Sequence, residues 1–150
     1  MLGNSCPECG AILTDELTCE SVFNKFLALE FTDVEYGAVH LLTVACYMIQ
    51  HNQYSQEGLI WISQTLDDYL IKNIPVEKIR KQTSQAASRE HRNWRIRAQK
   101  GKLHPVRIPW SMTIIDVASQ YHDADSYRNL IKKWARTTLQ EMQPLLPTSK

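Results

Sequence analysis

Cys6-Pro7-Glu8-Cys9-Gly10, followed by Cys19, constrains this chain more than any other feature. Two thiolates separated by two residues can grip one metal ion from a single tight turn, and Gly10 supplies the backbone freedom such a turn needs. A tetrahedral zinc site takes four ligands, so the fourth must come from further along the chain and would tie this knuckle to the rest of the fold. Four cysteines could instead form two disulfides. The tight CxxC spacing argues for metal, and so does Met1-Leu2-Gly3-Asn4-Ser5, which has neither the charged nor the apolar region of a secretory signal. Both point to a reducing cytoplasm. A redox CxxC is disfavoured, because such motifs open a helix within a βαβ unit and no such pattern surrounds Cys6.

With 150 residues, 43% hydrophobic and 22% charged, the chain can bury the core of one ordinary globular domain. No apolar run approaches the roughly 18–20 residues of a membrane span. The net charge of +1 conceals a strong asymmetry. Residues 1–77 carry eleven acidic and two basic side chains, whereas residues 78–107 carry ten basic and one acidic. Such segregation signals an electrostatic partner or a match between the two parts of the chain.

The spacing predicts a mainly α-helical bundle. Residues 1–19 read as the knuckle, 20–143 as the helical body and 144–150 as a tail, all in a single domain. Val22, Phe23, Phe26 and Leu27 give residues 20–31 a broad apolar face. Residues 34–51 are apolar nearly all round, which predicts one central buried helix, with Leu42 and Val44 inside. Ser55 caps a helix over about 56–72. Residues 111–121 read as a short helix. Asp123 or Asp125 caps a last one, with Tyr127, Leu130, Ile131, Trp134, Ala135 and Leu139 on its inner face.

Cys46, His40 and His51 are the candidates for the fourth ligand. His40 and Cys46 are six steps of about 100° apart and point to opposite sides of a helix. His40 and His51 share a face but lie about 16 Å apart, so at most one of the three can join the cysteines. His40, nearest in sequence to the knuckle, is the expected ligand. That leaves His51 to cap the helix C-terminus and Cys46 as a core thiol.

Lys78, Arg80, Lys81, Arg89, Arg92, Arg95, Arg97, Lys100, Lys102 and Arg107 crowd one stretch around Trp94. Arg89, Arg92, Arg95 and Arg97 could neutralise phosphates while Trp94 stacks on a base, and the same segment could equally face a protein. No RNP block, complete C2H2 pattern or helix-turn-helix accompanies it. Glycine-rich phosphate loop, GxSxG elbow and HExxH motif are all missing. His40, His51, His91, His104 and His122, with Asp116 or Glu30 as base, could still assemble a metal-dependent hydrolase.

The blocks Cys6-Pro-Glu-Cys9-Gly10-Ala11, Cys19, Leu29-Glu30-Phe31 and Val39-His40 through Gln50-His51 together resemble the bacterial domain-of-unknown-function 5946 family. Trp110, Thr113, Asp116-Val117 and Trp134-Ala135 fit its C-terminal pattern. The resemblance implies that the three cysteines, His40 and His51 belong to the family pattern. An acidic residue more commonly fills the place of Cys46, which argues against that thiol as a ligand. No established activity comes with the resemblance. The sequence thus describes a zinc-binding helical protein, a binding or regulatory module with structural Zn2+ on Cys6, Cys9, Cys19 and His40. A metal-dependent hydrolase is the alternative. The partner is expected to be protein or nucleic acid, met through residues 78–107, with no membrane involved.

Overall fold

A computed structural model describes residues 4–13, 17–79, 81 and 108–146. The candidate contact residues Arg89, Arg92, Trp94, Arg95 and Arg97 lie outside the described residues. So do His91 and His104.

The architecture is mainly α, as the periodicity predicts. A two-residue antiparallel pairing, β1 (Asn4–Ser5) with β2 (Ile12–Leu13), closes the knuckle with Ser5 opposite Ile12. Helix α1 (Cys19–Thr32) starts where Thr18 accepts from the Ser21 amide at 3.0 Å and Ser21 answers the Thr18 amide. That reciprocal cap satisfies two of the donors left open by the first turn. Cys19, Val22, Phe26 and Glu30 recur every three or four residues and form the buried stripe of α1.

The expected single helix over 34–51 is broken in two. Asp33 caps a short helix, α2 (Val34–Gly37), and Val34 itself is 83% exposed. Helix α3 (His40–Gln50) follows after a turn at Ala38 and Val39. The close approach of Gly37 to the end of α1 accounts for the break. A Cβ at Gly37 would lie 2.5 Å from the Glu30 carbonyl oxygen, so the chain reverses against α1 only because no side chain is there. Gly37→Ala is therefore expected to cost about 1–3 kcal/mol, as overpacking against an unyielding backbone does. The urea midpoint would report it.

Within α3 the buried positions are Leu42, Thr43, Ala45, Cys46, Ile49 and Gln50. Val44 is half-buried and not in the interior, because the helix packs on one side rather than all round. Asn52, with φ 57°, takes the left-handed position that ends the helix, and the Gln53 amide reaches back to the Met48 carbonyl at 2.9 Å.

Ser55 caps α4 (Gln56–Leu70) through the Gly58 amide at 3.1 Å. Helix α5 (Ile114–Gln120) opens on a Thr113–Asp116 capping box. Asp123, not Asp125, caps α6 (Ala124–Glu141). Tyr127, Ile131, Trp134, Ala135 and Thr138 form the inner face of α6, against which α3, α4 and α5 all pack. Leu130 and Leu139 are half-buried at its margins. Leu145, read from sequence as tail, is buried, and its carbonyl accepts from Gln56 at 3.0 Å. Gln50 fastens the centre, donating to the Met112 carbonyl at 2.9 Å and to the Thr138 hydroxyl at 3.1 Å. Among the described residues no helix is long and apolar enough to cross a membrane.

Candidate metal centre

The Cys6–Cys9 turn is built by the backbone. The Cys6 amide donates to the Ala11 carbonyl at 2.8 Å and the Gly10 amide to the Cys6 carbonyl at 2.9 Å. Gly10, at φ 80°, holds the left-handed conformation that this closure requires. The Cys9 amide also points at the Cys6 sulfur, 3.5 Å away, so the turn offers a donor to a thiolate. Cys19 arrives from another direction as the first residue of α1. A helix N-terminus stabilises negative charge, which suits a thiolate there.

The fourth group is His51. Cys6, Cys9, Cys19 and His51 are all buried and present ligand atoms within 4.8 Å of one another. His40 is not among them. Its Nδ1 lies 2.7 Å from Glu30 Oε1, at the other end of α3. The physical reason is the reversal at Gly37. Because α3 runs back along α1, its C-terminal end returns to Cys19, while its first turn meets Glu30 near the end of α1. Cys46 is fully buried in the core, and burial pushes its thiol up to about 12, a neutral core group as the sequence suggests.

His51 is held as a ligand would be. Its Nδ1 lies 2.7 Å from the Tyr47 carbonyl, an acceptor, so Nδ1 carries the proton and Nε2 keeps its lone pair. Nε2 is buried and has no hydrogen-bond partner. The ring stacks on Tyr47 at 4.2 Å, and Tyr47 stacks on Phe23 at 3.9 Å. These contacts fix the imidazole plane, the role that a carbonyl partner and packing play around metal-bound histidines.

Electrostatics concentrate negative charge at this point. Cys9 and Cys19 have their sulfurs 3.6 Å apart. The hydrogen bond from Cys19 holds the Cys9 thiol down to about 4 against the opposing effect of burial, with His51 helping. That same bond and burial raise Cys19. For His51, burial works against the charged form, but the adjacent Cys9 thiol and the Tyr47 carbonyl outweigh it, and the imidazole is raised. Tyr47 is pushed up to about 12 by burial and by the nearby thiols and acidic groups. A cation brought to this cluster would meet three thiols and the partnerless Nε2 of His51 in a low-dielectric setting.

The donor set fits a tetrahedral metal. Sulfurs bound to one zinc at about 2.3 Å lie about 3.8 Å apart across a tetrahedral edge, close to the 3.6 Å between Cys9 and Cys19. His122 is exposed and pairs with Asp123 at 3.4 Å, and Asp116 accepts the Thr113 amide at 2.8 Å in the capping box of α5, so neither joins the cluster.

A helical body stapled at its N-terminus by a Cys3His cluster is the class that fold and site define. The chain belongs to a family of unknown function, DUF5946, which matches residues 4–143. Neither a curated protein nor a solved structure matches it.

Proposed function

We propose that Cys6, Cys9, Cys19 and His51 hold one structural Zn2+, and that the stapled helical body is a binding or regulatory module. The buried, partnerless Nε2 of His51 beside three thiols carries this reading. An imidazole nitrogen left without a partner in the interior costs free energy unless something binds it. Four protein ligands close a tetrahedron and leave no position for a reactive water, which supports a structural role over the hydrolase alternative. Zinc on reduced thiols also suits a cytoplasmic setting.

Elemental analysis of protein purified without added metal tests the site, with about one zinc per chain expected. Cys9→Ser should lose the metal and Cys46→Ser should keep it. A zinc content unchanged in Cys9→Ser would sink the assignment.

The partner surface proposed is the basic segment 78–107, including Arg89, Arg92, Trp94, Arg95 and Arg97. Its support is the charge of the sequence: ten basic side chains against one acidic. Nucleic acid is one partner class that this charge fits. Binding of a single-stranded oligonucleotide should then weaken steeply with salt, because each neutralised phosphate releases a counterion. Reversing Arg92, Arg95 and Arg97 should abolish it. Absence of binding at low salt would overturn the nucleic-acid reading and leave a protein partner or a match with the acidic part of the chain.

A further inference from the structure

The other end of α3 carries a second constellation that the metal does not use. Glu30 has a buried carboxylate, its side chain only 1% exposed. Thr43 donates to Oε2 at 2.6 Å and Tyr127 donates to the same oxygen, while His40 Nδ1 sits 2.7 Å from Oε1. Three donors, from α3 and α6, saturate a charge that burial alone would not tolerate. The His40 side chain remains 32% exposed. A carboxylate only accepts, so Nδ1–H faces Glu30, which leaves the lone pair on Nε2 of a side chain that is partly open to solvent.

We infer that His40 is the general base of a hydrolytic site at this corner, with Glu30 its positioning residue. The hydroxyls of Thr43 and Tyr127 are committed to Glu30, so neither serves Nε2 as a nucleophile. The group that His40 activates therefore comes from solvent, and water is the nucleophile. Phe31, 78% exposed, places its ring 5.4 Å from His40, and Val34 is exposed nearby in sequence. Asp33 and Glu35 flank this corner, and Arg128 is already engaged by Glu35 and Asp125. An anionic substrate would find negative charge and no free cation among these residues. The chemistry suits a neutral ester whose apolar part lies against Phe31.

In that reaction Nε2 takes a proton from water as the water oxygen bonds to the ester carbon. Glu30 steadies the imidazolium through Nδ1–H. As the carbon–alkoxy bond breaks, Nε2 returns the proton to the departing oxygen. Ester and water become acid and alcohol, with no other reactant. His40 and His51 are eleven residues apart on α3, about 16 Å, so the zinc ligand and the base act separately.

The test uses the full, zinc-loaded chain and p-nitrophenyl acetate. General-base catalysis contributes about 100-fold or more, so His40→Gln should lower kcat by about that factor while remaining folded and keeping its zinc. Glu30→Gln should lower kcat with little change in KM. Should that variant fail to fold, long-range proton–nitrogen spectra of the wild type read the His40 tautomer directly, with the proton expected on Nδ1. Equal rates for wild type and His40→Gln, or a proton found on Nε2, would overturn the inference.

Discussion

His51→Ala should release the metal and destabilise the chain more than any other single histidine substitution, while His40→Ala should leave the metal bound. His51 closes the cluster from the C-terminal end of α3, and its ring is fixed by the Tyr47 carbonyl and the Tyr47–Phe23 stack. Losing it opens one coordination position and unties the knuckle from α3. Structural zinc contributes apparent free energies of about 10–16 kcal/mol in small zinc-dependent folds. Part of that would be lost here, because the helical body has its own core. Chelation should reproduce the effect in the wild type and add nothing to His51→Ala. Elemental analysis and melting with and without chelator separate the cases. Metal retained in His51→Ala, or lost in His40→Ala, would return the fourth position to His40.

Why the sequence pointed to His40, and the cluster instead gathers His51, follows from the same geometry. Its cysteine spacing was enough to place Cys6, Cys9 and Cys19 together, because a CxxC turn with glycine after it has few other uses. Helix α6 was equally legible, since Tyr127, Ile131, Trp134 and Ala135 repeat at helical spacing and Asp123 caps them. The fourth ligand depended on chain direction instead. Reading residues 34–51 as one helix hid the reversal at Gly37, whose reason is a backbone contact with the Glu30 carbonyl and leaves no trace in hydrophobic periodicity. A signal was nonetheless present. Consecutive helices joined by a short connection pack antiparallel, so the end of the second returns to the start of the first. Applied to α1 and α3, that rule brings residue 51, not residue 40, back to Cys19. His40 and Glu30 were named from sequence as candidates for a reactive site, but their assembly with Thr43 and Tyr127 was out of reach for a related reason. Its members span 97 positions between Glu30 and Tyr127, and a carboxylate on an otherwise apolar stripe reads as a margin residue until its partners are seen.

Trp134→Ala should cost about 3–5 kcal/mol, the range for removing a fully buried large aromatic ring. Trp134 is 0% exposed, at the middle of the α6 face on which both α3 and α4 rest. Deleting the indole empties the α6 face one turn before Thr138, where the Gln50 bond joins α3 to α6. Trp134→Phe should cost much less than its lost volume suggests. The indole Nε1 is buried with no hydrogen-bond partner. Such an unpaired donor carries a desolvation cost of about 1–3 kcal/mol, which phenylalanine does not incur. That relief offsets part of the cavity left by the smaller ring. Urea unfolding of the two variants, with metal bound in both, measures the difference. If Trp134→Phe proved as damaging as Trp134→Ala, the indole N–H would have to be donating to a partner, with Gln50 Oε1, the other orphaned atom of this region, as the first to examine.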